Sequence, residues 1–561
     1  MTRFMEKAVI YQIFTRLCCN SGGQNIPGGD IHTNGSGKLN SYTPTVLDNI
    51  KSMGVTHIWF TGLIAHASCT SYKSFGIPES HRETVKGQAG SPYAIRDYYD
   101  IDPDLAVSVP DRMAEFQALV DRVHAAGMKF IMDFVPNHVA REYHSIAKPR
   151  GVKDLGQGDD TSMHFSPSNN FYYMPGQQLD GQIAWGDYKE FPARATGNDQ
   201  FTATPTYSDW YETVKLNYGV DYTGGGRHCF KPVPNTWKKM LHILLYWAAK
   251  GVDAFRCDMA EMVPVDFWHW AIAQVKEAHP AIQFIAEIYN PGSYGDYIDF
   301  GGFDYIYDKV GLYDTLRAIV ESRESATAIT RCWQQSGVNG QHMLHFMENH
   351  DEQRVASRFF GGNAQKGRPA MIVSALMDSC PVMVYAGQEV GEQGMDQEGF
   401  SGLDGRTTIF DYWAPDTLTR LYNDGRWDDA RLTKDERELK AFYSTLLSIC
   451  NSEESIRSGK FFDLMYVNPQ TADFNPHRQY AFMRSCGKDA ILVVTNFTDQ
   501  PLYTAVNIPQ HAFDYLELKA RDGVKVTDLL SGQTFQTNLH PDSPIRVTVP
   551  AQNGIVIRWS L

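Results

Sequence analysis

The stretch GVDAFRCDMA, residues 251 to 260, reads as a short β-run from Val252 to Asp258 with an acid at its carboxyl end. The alternation of a strand sends Arg256 and Asp258 to one face and Cys257 to the other. A permanent cation two residues before a carboxylate on the same face should hold that carboxylate ionised. Cys257 then points outward against a helix and serves as a small hydrophobe, not as a redox group. Just upstream, Thr236 to Ala249 places its apolar residues at helical spacing, so the strand belongs to an alternating βα chain.

Working outward from this run, the same pattern recurs eight times. The other predicted strands are Ala8 to Thr15, His57 to Leu63, Lys129 to Pro136, Phe284 to Tyr289, Asp304 to Tyr307, Met343 to Glu348 and Pro381 to Tyr385. Amphipathic segments such as Asp111 to Ala126 lie between them, and a last helix is expected at Lys434 to Cys450. Eight βα units close most economically as a (β/α)8 TIM barrel, an α/β fold. Residues 139–222 break the rhythm. A segment that long, rich in Gly, Asn, Asp and Tyr, is predicted to be a folded subdomain inserted after strand 3 at the barrel mouth. From 454 to 561 the pattern changes to alternating runs with turn residues (Gln479 to Arg484, Ala490 to Asn496, Gly554 to Trp559), which predicts a C-terminal antiparallel β-sandwich. The barrel domain is then 1–138 plus 223–453. Three domains agree with 561 residues, too long a chain for one core.

Composition narrows the partners. Hydrophobic residues at 43% and charged residues at 21% exclude disorder and coiled coil. A net charge of −14 repels phosphate backbones and anionic lipid, so neither nucleic acid nor membrane is an expected partner and a neutral ligand is. Aromatics make up 12%, with 29 Tyr and 11 Trp; most fill cores, and flat rings also stack on sugar faces. Nine cysteines, an odd number scattered without metal-ligand spacing, read as reduced thiols. The start MTRFMEKAVIYQIF carries no leader pattern, and no apolar run is long enough to span a bilayer, so a cytoplasmic location is expected.

Reacting groups of such barrels sit at the carboxyl ends of strands. Asp258 ends the fourth, Glu287 ends the fifth in FIAEIY, Asp351 follows the seventh in FMENHD, and Asp133 closes the third in IMDFVPNH. Crowding carboxylates at one rim costs free energy unless cations compensate, and clusters of that kind tend to be functional. With Arg256 holding Asp258 ionised and Glu287 in a more apolar setting keeping its proton, two carboxyls have their pKa values pushed apart, as glycoside hydrolysis requires.

These residues are where the chain resembles the α-amylase family, glycoside hydrolase family 13. DFVPNH at 133–138, GVDAFRCD at 251–258, AEIY at 286–289 and ENHD at 348–351 resemble its four signatures, in order, and the resemblance covers nearly the whole chain. It implies Asp258 as nucleophile, Glu287 as general acid/base and Asp351 as the third carboxylate that stabilises an oxocarbenium-like sugar. It implies that His138 and His350 bind the hydroxyls of the glucose at the cleavage point, that Arg256 orients the nucleophile, and that Tyr93 in SPYAIRDYYDIDP stacks under that glucose, followed by Asp97. TVKLN at 213–217 is similar to the form found in the neopullulanase and cyclomaltodextrinase branch, and Ala94 stands where exo-acting α-glucosidases carry Asp. Both favour longer maltodextrin-type substrates, and the resemblance as a whole implies cleavage of α-1,4 bonds in maltodextrins or starch-derived oligosaccharides with retention.

The departures lie just after the nucleophile. Met259-Ala260-Glu261-Met262 lacks the Lys-His pair used at the leaving-group side, and Glu261 takes that substrate-binding position. The family's structural calcium loses a ligand with that histidine, leaving Asn137 and the acidic loop Gly158-Asp159-Asp160 as oxygen donors; the loop also reads as a solvated turn. No cofactor is expected for the chemistry, nor an N-terminal starch-binding domain of the neopullulanase kind. Two alternatives stay open: a glucanotransferase or trehalose-forming isomerase using the same site, and an inactive barrel kept as a binding module.

Overall fold

The eight short β-runs are the eight strands of one closed parallel barrel. The structure, a computed structural model, describes residues 7–394, 402–487, 489–541 and 543–560. Its strands are β1 (Val9–Phe14), β2 (His57–Thr61), β3 (Lys129–Phe134), β4 (Ala254–Cys257), β5 (Gln283–Ala286), β6 (Tyr305–Tyr307), β7 (Met343–Phe346) and β8 (Val382–Tyr385). Each pairs with its neighbours in chain order, and β1 closes on β8. The predicted helices stand at Arg112–Ala125, Asn235–Ala248 and Lys434–Ser452. The last of these begins with a capping box, Thr433 Oγ1 accepting from Glu436 N and the Glu436 carboxylate accepting from Thr433 N, a motif worth about 1 kcal/mol.

Two shells of side chains follow from the strand alternation. Ile10, Trp59, Ile131, Ala254, Ile285, Leu344 and Met383 point inward and fill the barrel below its rim. The opposite residues of the same strands, Phe255 and Cys257 among them, face outward into the main core beneath the helices. Cys257 is fully buried there, and burial pushes its thiol well above the usual range. All nine cysteines are free thiols.

The segment after β3 leaves the barrel as a strand, His138–Ala140, that pairs antiparallel with Thr213–Lys215, so the excursion starts and ends at one place on the rim. Between these strands lies a separate small core that includes Tyr172, Leu179, Ile183, Trp185 and Tyr211.

The C-terminal strands are β9 (Lys460–Asp463), β10 (Gln479–Cys486), β11 (Asp489–Asn496), β12 (Leu502–Val506), β13 (Arg521–Asp528), β14 (Thr534–Leu539), β15 (Ile545–Val549) and β16 (Asn553–Ser560). They form a six-stranded antiparallel sheet in the order β9-β10-β11-β16-β13-β14 and a second sheet of β12 and β15. The first six residues of the chain, part of the run read for a leader, lie outside the described residues. Among the described residues no helix is long and apolar enough to cross a membrane.

Candidate active site

Register places the charged residues. In the parallel ladder Arg256 of β4 stands opposite Asp133 of β3 and Ile285 of β5, and Asp258 and Glu287 extend β4 and β5 past the last rung. Their backbone N–H groups still donate across it, Asp258 to Phe134 and Glu287 to Cys257. A fully buried guanidinium therefore has an acid on each side. Arg256 Nη1 lies 2.9 Å from Asp258 Oδ1 and 3.3 Å from Asp133 Oδ1, and Nη2 lies 2.8 Å from Glu287 Oε2. Its Nε donates to Tyr307 Oη at 3.1 Å. The rings of Trp59, Tyr93 and Tyr307 surround it at 5.3 to 5.5 Å, and Trp59 Nε1 donates to Asp133 Oδ2 at 3.0 Å.

One cation serving three carboxylates leaves the cluster short of positive charge. Burial pushes Asp258 well above the usual carboxylate range, the neighbouring Glu287 adds to the rise, and Arg256 opposes it. Burial likewise raises Asp133 to about 7 against the pull of Arg256 and Trp59. This corrects two expectations, the first being that Arg256 holds Asp258 ionised, since burial and Glu287 outweigh it. Nor is Glu287 in an apolar setting: besides Arg256 it accepts from Met259 N at 2.7 Å and from Tyr289 Oη at 2.6 Å. Met259 itself adopts a left-handed backbone conformation at φ 43°, uncommon for a residue other than glycine.

A cavity of about 370 Å³ opens above this cluster and is lined by Asp258, Glu287, Asp351, Tyr93 and His138 together with Trp210. A second cavity of about 520 Å³ adjoins it, sharing Tyr289, Asp351, Ile409 and Phe410 and adding His350. Three acids, two histidines and the tyrosine read from the sequence thus meet at one rim, with Arg256 beneath them. His350 is held from both sides, by Gln12 Nε2 at 2.8 Å from its Nδ1 and by Tyr93 Oη at 2.6 Å from its Nε2, and it contacts Asp351 at 3.0 Å. Burial, with Lys215 near one and Arg256 near the other, lowers His138 and His350 to about 3, so both imidazoles are neutral. Asp351, whose side chain is 36% exposed, borders both cavities. Asp97 accepts from Ser145 Oγ and from the N–H groups of Ile146 and Ala147, which fixes the chain entering the inserted region.

Two other expectations meet a different arrangement. Glu261 is absent from the lining of both cavities, and its carboxylate accepts from Asn290 N at 3.2 Å. Asn137 has its oxygen occupied by Lys215 Nζ, which also lies 2.6 Å from Asp199 Oδ1 and donates to Met262 O at 3.2 Å. A buried ammonium stands where a calcium ion would have to sit and would repel one, so these donors do not fit calcium. Asp159 and Asp160 hold their own turn, accepting from Asn170 N, Phe171 N and Ser162 N. Among the described residues no three His, Cys, Asp or Glu side chains are arranged as a metal cluster.

Sequence reading did not single out Tyr289, Met259, Trp210, Gln12 or Lys215. Tyr289 and Lys215 lie within quoted motifs, but only tertiary contacts show what they hold.

Comparison with known proteins agrees with this architecture. The family model "Alpha amylase, catalytic domain" matches residues 12–288 and 307–451, and "Alpha amylase, C-terminal all-beta domain" matches residues 470–560. A cyclomaltodextrinase of Bacillus sp is 23% identical over 88% of this chain and 73% of its own length. The α-amylase MalA of Haloarcula japonica is 23% identical over 94% of this chain, and neopullulanase 2 of Thermoactinomyces vulgaris is 22% identical over 69%. This chain spans 59% and 57% of the lengths of those two. Among solved structures, the noncanonic maltogenic α-amylase AmyB from Thermotoga neapolitana superposes with a TM-score of 0.62 at 18% identity, covering 99% of both chains. A structure titled cyclomaltodextrinase superposes at 0.65 and 19% identity, covering 99% of this chain and 78% of its own.

Proposed function

This chain belongs to the α-amylase family, and on that premise we propose that it is a retaining glycoside hydrolase cleaving α-1,4-glucosidic bonds in maltodextrins or starch-derived oligosaccharides. The observation that carries the reading is the single guanidinium of Arg256 shared by Asp258 and Glu287 in the floor of a cavity that Asp351, Tyr93 and His138 complete. Held by adjacent nitrogens of one side chain, the two acids converge on one sugar.

In the proposed double displacement Glu287 protonates the glycosidic oxygen while Asp258 attacks C1, forming a covalent glycosyl-enzyme. Glu287 then removes a proton from water, which releases the sugar with its original anomeric configuration. Three carboxylates surround one guanidinium, a surplus of two, so the cluster takes up a proton that belongs to the group as a whole. Turnover requires that proton on Glu287, with the Asp258 charge held by Arg256 Nη1. No cofactor enters the scheme. Nine free thiols favour a reducing, cytoplasmic setting.

The test is NMR of the first products from maltoheptaose. Newly formed α-anomers are expected, and β-anomers would rule out retention. The apolar side chains of Met259, Ile409 and Phe410 in the cavity wall favour a second reading, in which a sugar rather than water accepts the glycosyl unit. Incubation with maltotriose separates the two: glucose and maltose mean hydrolysis, whereas longer oligomers or trehalose mean transfer.

A further inference from the structure

Where β9 begins the C-terminal domain, against the helix Ala328–Ser336, lies a groove of about 410 Å³ that shares no residue with the two cavities at the rim. Its walls are aromatic and come from four separate elements. Trp333 lies on the helix Ala328–Ser336, Phe461 and Phe462 on β9, Tyr466 on the following turn, and Tyr515 on the helix Gln510–Leu516. Tyr466 and Tyr515 are 62% and 47% exposed, unusually open for rings gathered so closely.

The floor is rigid. Asp463, nearly buried, accepts from Trp333 Nε1 at 2.8 Å, Thr330 Oγ1 at 2.6 Å, Tyr480 Oη at 2.8 Å and Met465 N at 2.6 Å. The indole therefore spends its N–H inward, and its orientation is set before any ligand arrives. Phe462 packs between Tyr466, Tyr515 and His511 at ring separations of 6.2, 6.0 and 5.3 Å, which braces the two exposed rings. The carboxylate of Asp463 is held by these four donors in the floor, and no lysine or arginine lines the groove. What it offers is ring faces and neutral polar groups, the hydroxyls of the two tyrosines, the His511 imidazole and the Gln334 amide.

We propose that this groove is a second α-glucan-binding site, remote from the catalytic cleft, which holds a neighbouring stretch of a polymeric substrate. The ligand class rests on the function proposed above. The groove adds its own reason: rigid aromatic planes rimmed by uncharged hydrogen-bonding groups suit a chain of neutral sugars, each with an apolar face and a ring of hydroxyls. An anionic partner would find no lysine or arginine in the lining, and the Asp463 carboxylate would repel it.

The test uses the full chain carrying Asp258→Asn, which keeps glucan intact, in affinity electrophoresis through amylopectin. Adding Tyr466→Ala and Tyr515→Ala should weaken retardation, raising the apparent Kd roughly tenfold, as expected when exposed aromatic anchors are cut away. Phe at both positions keeps the ring faces and should retain most of the binding. Equal retardation of the Ala variant and its parent overturns the proposal, and so does no retardation of either. Cleavage of maltotriose by the unsubstituted protein reports separately on the proposed function, so the two ideas fail independently.

Discussion

Two buried charge clusters in this molecule have opposite stoichiometry. At the barrel rim one arginine, Arg256, meets three carboxylates. In the inserted region two arginines meet one: Glu190 lies 2.8 Å from Arg141 Nη1 and 2.7 Å from Arg194 Nη2, and also accepts from Arg194 N and Tyr188 Oη. Burial alone would raise both sets of acids. At Glu190 the two guanidiniums outweigh it and lower the carboxyl to about 2, whereas at the rim burial and mutual repulsion win and raise Asp133 to about 7. Surplus cation makes a permanent clamp, and surplus acid makes a site where protons move. The difference separates a cluster that holds the fold from one that costs stability and, on the function proposed, serves chemistry.

The sharpest way to break this contrast is Asp258→Asn. If Asp258 is the nucleophile proposed, we expect kcat on maltotriose to fall on the order of 10⁴-fold or more, the usual consequence of removing a nucleophile that acts with its partners as a unit. Calorimetry at pH 7 should give a Tm equal to or above that of the unsubstituted protein, because one surplus carboxylate has been removed. A large drop in Tm would place the rim in the same class as the clamp.

Glu190→Gln should do the reverse. Two buried guanidiniums lose their counter-charge, so stability should fall by about 3–5 kcal/mol, read from denaturant unfolding. The kcat of the molecules that remain folded should hold. Loss of turnover without loss of stability would mean that the inserted region takes a direct part in the reaction.

The pH dependence of stability sharpens the contrast further, since the two clusters titrate with opposite sign. Glu190, lowered in the fold, stabilises the protein above its unfolded pKa near 4.5, and that contribution disappears as pH falls toward about 2. The shift corresponds to about 3 kcal/mol. Asp133 is raised in the fold, so between about pH 4 and pH 7 the native protein binds more protons than the unfolded chain and loses stability as pH rises. Glu190→Gln should flatten the acid limb of a plot of Tm against pH, and Asp133→Asn the limb above it. If both variants flattened the same limb, the assigned signs would be wrong.

How much of this was legible beforehand depended on whether a feature is local. Each barrel strand is a short β-rich run bounded by a helix or a turn, so all eight could be read, and the alternation within GVDAFRCD gave the faces of Arg256 and Cys257 correctly. The placement of Asp258 and Glu287 at the ends of adjacent strands could be read for the same reason. Sequence spacing carried nothing about sharing across strands. Arg256 was assigned to its neighbour two residues away, while its other nitrogen reaches Glu287 from β4 to β5, a contact set by ladder register and side-chain length. Lys215 and Asn137 meet across 78 residues through the pairing of His138–Ala140 with Thr213–Lys215, which replaced an expected metal ligand with an ammonium partner. The aromatic groove draws its rings from elements more than a hundred residues apart and left no signal in any one segment.

The smallest expected effect falls closest to the proposed nucleophile. Cys257 adjoins Asp258 in the chain, yet its side chain leaves the strand on the outer face, fully buried among apolar groups, with its thiol raised by burial. If the rim is a charge cluster bounded by the strand itself, Cys257→Ala should cost about 1 kcal/mol of stability for the lost sulfur contacts and leave kcat/KM on maltotriose within about twofold. The native thiol should also resist alkylation until the protein unfolds. A hundredfold loss of activity would show that packing behind the strand sets the position of the nucleophile, and the rim could then no longer be treated as separate from the core that carries it.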